Sequence, residues 1–86
     1  MLIKVSPRFE KNYKRLPMEI KKKAKEKEII FRGNPFDLRL KTHKLKGELK
    51  NSWAFWINFS YRIKFIFIGN SKVLFLDIGT HEIYNK

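Results

Sequence analysis

The spacing of apolar positions changes period along the chain, and each change marks an element. Leu2-Ile3-Lys4-Val5 is short and apolar and reads as a strand. Ser6-Pro7 is a helix start, since serine can cap free backbone N–H groups and proline fits the first helical position. Phe9, Tyr13 and Leu16 then recur at i, i+4 and i+7, one apolar stripe on a short helix that Pro17 ends. Residues 18–32 are rich in Lys and Glu, with Ile20, Ala24 and Phe31 on roughly one face and Ile30 beside them. Gly33 is expected to supply a left-handed C-terminal cap, and Asn34-Pro35 stops the helix. The two helices should form an antiparallel hairpin.

Residues 34–52 read as a polar connection, with Leu38, Leu40, Leu45 and Leu49 as anchors and a basic loop at residues 41–47. The period then switches to two. Residues 53–59 and 61–68 read as strands with a tight turn or bulge at residues 58–60. Gly69-Asn70-Ser71 is a hairpin turn and residues 72–78 the final strand. Along residues 61–68, Tyr61, Ile63, Phe65 and Phe67 share the face expected under the helices, while Arg62, Lys64, Ile66 and Ile68 share the other. That sets Arg62 and Lys64 together on an open sheet face, either as a floor for phosphate or as the ordinary amphipathic alternation of an antiparallel sheet. The order is β-αα-βββ, an α+β fold. Residues 1–86 form a single domain: an N-terminal strand, then an antiparallel helical hairpin packed on one face of a three-stranded antiparallel meander.

Charge adds a partner class. The chain holds 20 Lys and Arg against 8 Asp and Glu, a formal charge of +12 on 86 residues. Such an excess suits the phosphates of nucleic acid or an acidic protein partner, and net charge alone does not choose between them. The absence of cysteine excludes a disulfide or Cys–zinc framework and fits a reducing cytoplasm. The first residues lack the apolar segment of a signal peptide, and no stretch approaches the roughly 18 apolar residues of a membrane helix. A cytoplasmic location with no membrane partner is therefore expected.

The candidate chemistry gathers near the C-terminus. Asp77-Ile78-Gly79-Thr80-His81-Glu82-Ile83-Tyr84 follows directly on the apolar run of residues 73–76. His43 and His81 are the chain's two histidines, and histidine is the side chain whose unperturbed pKa permits proton transfer in both directions near neutrality. Two isolated histidines without a fitting carboxylate spacing make no metal site, so neither a metal nor another cofactor is expected. Plainer roles stand beside these: a surface loop for His43, a capping hydrogen bond for His81, a salt bridge from Arg62 to Asp77, and core packing for Trp53 and Trp56.

In order and spacing, the helical hairpin, His43-Lys44-Leu45-Lys46-Gly47, Tyr61-Arg62-Ile63 and the ending Leu76 to Tyr84 resemble the RelE/ParE toxins of type II toxin–antitoxin systems, most closely the YafQ-like type. The resemblance covers nearly the whole chain. It implies a ribosome-dependent mRNA endoribonuclease that cuts messenger RNA in the ribosomal A site without metal, by attack of the 2′-hydroxyl on the adjacent phosphate, and that is neutralised by a cognate antitoxin. It implies His43 as the histidine of the His-x-Leu-x-Gly loop, Arg62 as the Tyr-Arg strand arginine, His81 as the Gly-Thr-His histidine and Tyr84 as the C-terminal aromatic. On that reading His81 is the general acid and His43 the complementary base, while Arg62 offers a planar donor fork to phosphate. Tyr84 stacks on a base, orients the phosphate or assists proton transfer. Lys46 and Lys64 contact backbone phosphates, and Trp56 stacks on an exposed base.

The chain also departs from the family pattern. RelE carries lysines on the strand before the Tyr-Arg strand, and YafQ a further histidine and an Asp-Trp pair. Trp53-Ala54-Phe55-Trp56-Ile57 has neither. This leaves an alternative open: a non-cleaving, ParE-like or degenerate toxin that acts by protein binding, on gyrase or with its antitoxin in transcriptional autoregulation.

Overall fold

The computed structural model describes residues 1–47 and 51–85, with side chains through residue 83. Its strands and helices are β1 (Leu2–Val5), α1 (Pro7–Lys14), α2 (Met18–Gly33), β2 (His43–Lys44), β3 (Ser52–Trp56), β4 (Arg62–Ile68) and β5 (Lys72–Gly79). Short 3-10 turns cover Leu38–Leu40 and His81–Asn85. The expected α+β order is present. The sheet, however, has five strands in the order β1-β5-β4-β3-β2. β3, β4 and β5 make the antiparallel meander, β1 joins β5 in parallel, and β2 adds an antiparallel edge. Parallel pairing of β1 with β5 requires a long crossover, and the helical hairpin belongs to it. The extra strand, β2, lies inside the stretch expected to be irregular. Its two residues are too few to show a period.

Ser6 works in two directions. Its Oγ accepts from the Phe9 N–H at 3.0 Å, capping α1, and donates to the Leu76 carbonyl at 2.7 Å. Leu76 is the extra residue of a β-bulge: Lys64 pairs with Asp77, whereas the next residue, Phe65, pairs with Phe75. The bulge resets the parity of β5, so that Val73, Phe75 and Ile78 are all buried although their numbers do not alternate. The Ser6 hydroxyl thus satisfies the carbonyl of that extra residue.

Two expected details fail for clear reasons. Gly33 remains in α2, and Asn34 ends the helix with an extended backbone (φ −162°, ψ 108°), the region into which a following proline pushes its neighbour. Leu38 is exposed while Leu40 is fully buried. At three residues per turn, positions two apart face away from each other, so only one of these leucines can anchor the 3-10 turn. Leu49 lies outside the described residues.

Phe31 on α2 is the centre of the core, with no exposed surface. It stacks on Phe55 at 4.8 Å and meets Phe65 and Phe75 edge-on at 5.0 and 5.5 Å. Phe9 brings α1 onto Phe75 at 5.5 Å. Burial of one such ring contributes about 1.5–3 kcal/mol relative to leaving it exposed. The parity of β4 is as expected, with Ile63 and Phe65 in the core and Tyr61 and Phe67 packed against it. Trp53 also joins that core, and Trp56 does not.

Candidate active site

Register brings the candidate residues to one end of the sheet. Trp56 at the end of β3 pairs with Arg62 at the start of β4, and Arg62 pairs with Gly79 at the end of β5. The 57–61 turn and the C-terminal turn therefore leave the sheet together. One row inward, His43 pairs with Ala54, Ala54 with Lys64 and Lys64 with Asp77. Cross-strand partners point to the same face, so His43 stands over the edge of the row that holds Lys64.

The expected open basic floor is closed. Arg62 is 2% exposed and Lys64 5%. The C-terminal turn folds back across this face: Lys64 Nζ donates to the Ile83 carbonyl at 3.3 Å, and Ile83 is itself buried. Gly79 permits that return. A Cβ there would lie 2.9 Å from Ile83 Cγ2, closer than side chains tolerate. Arg62 Nη1 donates to the carbonyls of Asn58 (2.8 Å), Phe59 (2.8 Å) and Tyr61 (3.2 Å). Its other N–H groups make no hydrogen bond among the described residues. The guanidinium also lies 3.9 Å over the Trp56 ring, where Lys41 Nζ approaches to 5.2 Å. Arg62 forms no salt bridge with Asp77. Asp77 Oδ1 instead accepts from Asn12 Nδ2 at 2.7 Å and from the Ile78 N–H at 2.8 Å.

His81 opens the C-terminal turn and is exposed. His43 is exposed on the edge strand β2, with its Nδ1 3.0 Å from the Lys41 carbonyl. A carbonyl only accepts, so Nδ1 carries the hydrogen and Nε2 is the basic nitrogen of the neutral ring. Lys41 makes this contact from a left-handed backbone (φ 52°, ψ 39°), an arrangement unusual for a side-chain-bearing residue. Lys46 is exposed beyond β2. Tyr84 belongs to the C-terminal turn, and its side chain lies outside the described residues. Among the described residues no cluster of His, Cys, Asp or Glu is placed to hold a metal. No helix among them is long and apolar enough to cross a membrane.

Sequence reasoning put Lys41 in the basic loop and residues 58–60 in a turn but gave Lys41, Asn58 and Phe59 no role at the site. Asn58 alone carried a signal, because Asn-x-Ser is a common turn opening. Its Oδ1 accepts from the Ser60 and Tyr61 N–H groups at 2.9 and 2.8 Å. Also missed was a cleft of about 650 Å³ between α1 and the C-terminal segment, with Arg8, Lys11 and Arg15 on one wall and Asp77, Thr80 and Glu82 on the other.

The fold recurs in solved structures. The YoeB/ParE toxin from Agrobacterium tumefaciens superposes with a TM-score of 0.80 at 18% identity, covering 94% of this chain and 99% of that one. The chain has the fold of the RelE/ParE toxins. YafQ from E. coli gives a TM-score of 0.77 at 20% identity over 94% of this chain and 93% of its own. The RelB–RelE antitoxin–toxin complex from Methanococcus jannaschii gives 0.75 at 21% identity over 96% and 95%. No protein-family model matches the chain, and no curated protein matches it by sequence. At these identities the likeness is one of fold: the RelE/ParE architecture is kept while most side chains differ.

Proposed function

We propose that this protein is the toxin of a type II toxin–antitoxin system, a cytoplasmic, ribosome-dependent endoribonuclease that cleaves messenger RNA in the A site. The observation that carries this reading is that, within the RelE/ParE fold, the turn bearing His81 leaves the sheet beside Arg62. In the proposed reaction the RNA 2′-oxygen attacks the adjacent phosphorus and the 5′-oxygen departs, leaving a cyclic phosphate. Such an in-line displacement needs a base and an acid on opposite sides of phosphorus. β2, which carries His43, and β5, which His81 follows, are separated in the sheet by β3 and β4. This supports His43, basic at Nε2, as the base and His81 as the acid for the leaving oxygen. Arg62 provides fixed positive charge for the transition state through the N–H groups that Nη1 leaves over. Tyr84 orients the phosphate or stacks, and Lys46, Lys64 and Trp56 steer the RNA backbone and bases. No step is assigned to a metal or cofactor.

Two of the similar structures are RelB–RelE complexes from Methanococcus jannaschii and Pyrococcus horikoshii, which supports an antitoxin partner here as well. An acidic segment suited to a chain of charge +12 would meet that role.

Induced expression tests the reading. Growth should stop, primer extension should find new 5′ ends within translated codons, and His81→Ala should lower cleavage by about 10²–10⁴-fold. Free growth with intact messenger RNA would refute it. One observation favours the second reading, a non-cleaving ParE-like toxin: Arg62 and Lys64 are buried and both donate to backbone carbonyls. Growth arrest with intact messenger RNA and blocked gyrase would select that reading.

A further inference from the structure

Phe59 is 79% exposed, an unusual position for a phenylalanine that contributes nothing to the core. The turn that carries it is nonetheless held by hydrogen bonds from both sides. The Asn58 side chain accepts the N–H groups of Ser60 and Tyr61, and the Tyr61 carbonyl accepts the Ile57 N–H at 2.9 Å. Arg62 Nη1 binds three carbonyls from inside, including that of Phe59 itself. An apolar ring on a mobile loop would fold over to bury itself. This one is held outward, its edge against Trp56 at 6.1 Å (interplanar angle 80°). Trp56 in turn carries Arg62 and Lys41 on its ring. The local chemistry is two roughly perpendicular aromatic planes flanked by cations, beside the strand end where Arg62 pairs with Gly79.

We propose that Phe59 is a stacking platform for an unpaired nucleobase of RNA bound at the candidate active site. The proposal rests on the RNA-cleaving reading of that site and adds a positioning residue to it. A base has an apolar face and a phosphate nearby, and Phe59 offers an aromatic face beside Trp56, whose ring Lys41 Nζ approaches to 5.2 Å. An apolar protein surface would match the ring but leave Lys41, the exposed cation on Trp56, unanswered, so the charge favours RNA. The Arg62 clamp holds the backbone that carries the ring, which reduces the entropy lost when a base stacks on it. The clamp also ties the platform to the residue proposed to hold the scissile phosphate, so the stacked base and the phosphate keep a constant separation.

The test uses purified full-length protein and a short single-stranded RNA carrying a fluorescent adenine analogue, whose emission is quenched by stacking. Phe59→Ala and Phe59→Leu should weaken binding by about 5- to 100-fold and abolish the quenching, while Phe59→Trp restores both. Phe59 is solvent-exposed, so the melting temperatures of these variants should match that of the wild type. Leu38→Ala, at an apolar residue at least as exposed and outside the site, should bind and quench like the wild type, which separates stacking on Phe59 from loss of apolar surface in general. If the wild type fails to cut messenger RNA yet shows Phe59-dependent quenching, the nuclease reading falls and the platform stands. If Phe59→Leu binds as the wild type does, or if the wild type binds no RNA, the platform is refuted. Loss of a protein complex in Phe59→Ala with RNA binding intact would likewise overturn it and make the tip a protein-docking residue.

Discussion

Arg62→Met should destabilise the whole domain, whatever it does to catalysis. Nη1 has two hydrogens shared among three carbonyls at 2.8, 2.8 and 3.2 Å, equivalent to two charge-assisted hydrogen bonds. Such bonds contribute about 1.5–3 kcal/mol each, and the lower figure applies because water can reach the released carbonyls of an exposed turn. The cation over Trp56 at 3.9 Å adds roughly 0.5–1 kcal/mol, partly replaced by the methionine stem. The expected loss is about 3 kcal/mol, a large part of the roughly 5–15 kcal/mol that holds a small domain folded. At about 4–8 °C per kcal/mol, the melting temperature should fall by roughly 12–24 °C in a circular-dichroism melt. Arg62→Lys should fall between the two, since an ammonium keeps the charge but not the planar contact with Trp56. A methionine variant melting within about 4 °C of the wild type would refute the clamp. The same arithmetic governs activity measurements: loss of cleavage in Arg62→Met reports on catalysis only when measured well below that variant's own transition.

Ser6→Ala removes a helix cap and also strands the Leu76 carbonyl at the bulge, so it should cost about 2 kcal/mol in denaturant titration; a cost under about 0.5 kcal/mol would mean the bulge needs no such partner. Gly79→Ala forces Cβ against Ile83 Cγ2 and should displace the C-terminal turn, lowering cleavage by about tenfold or more with only a modest change in melting temperature; full activity would show that the turn moves at no cost. Asp37, hydrogen-bonded through its side chain to Arg39, has its carboxyl lowered from 3.8 to about 2. Its small contribution to stability is therefore present above pH 3.8 and lost as pH falls through about 2, which an NMR titration of its carboxyl carbon would follow. A midpoint at 3.8 would mean the Arg39 contact does not form in solution.

The elements were legible because their signals are local: a Ser-Pro start, a stripe at i, i+4 and i+7, and alternation along residues 61–68. What escaped depended on contacts between distant parts of the chain. The β5 bulge is fixed by Ser6, seventy positions away, and it alone explains why Phe75 and Ile78 share the core. Trp53 and Trp56 sit three apart on one strand, hence on opposite faces, and only the first meets the helix-side core. Arg62 and Lys64 were correctly assigned to the second face, yet nothing local revealed that the C-terminal turn would return over it. Asn34 overrode Gly33 because the following proline acts on its immediate neighbour, whereas a glycine cap only permits a conformation.

Charge and clamp lead to one further step. Two ion pairs form among the described residues, Arg32–Glu28 at 3.1 Å and Arg39–Asp37 at 3.0 Å, and both engage solvent-accessible side chains. The net charge of +12 is an excess that no internal ion pair can neutralise, and it acts as self-repulsion across a body with a radius of gyration of 11.8 Å. A partner that brings negative charge relieves that repulsion whether it is RNA or protein, so the two compete for the same field before either reaches a specific residue. Under the proposed function, an antitoxin then need not touch His81 to inhibit: covering the cations around Trp56 and β2 removes the affinity that brings the phosphate to it. Because such a partner binds the folded chain in preference to the unfolded one, inhibition and stabilisation become a single linked event.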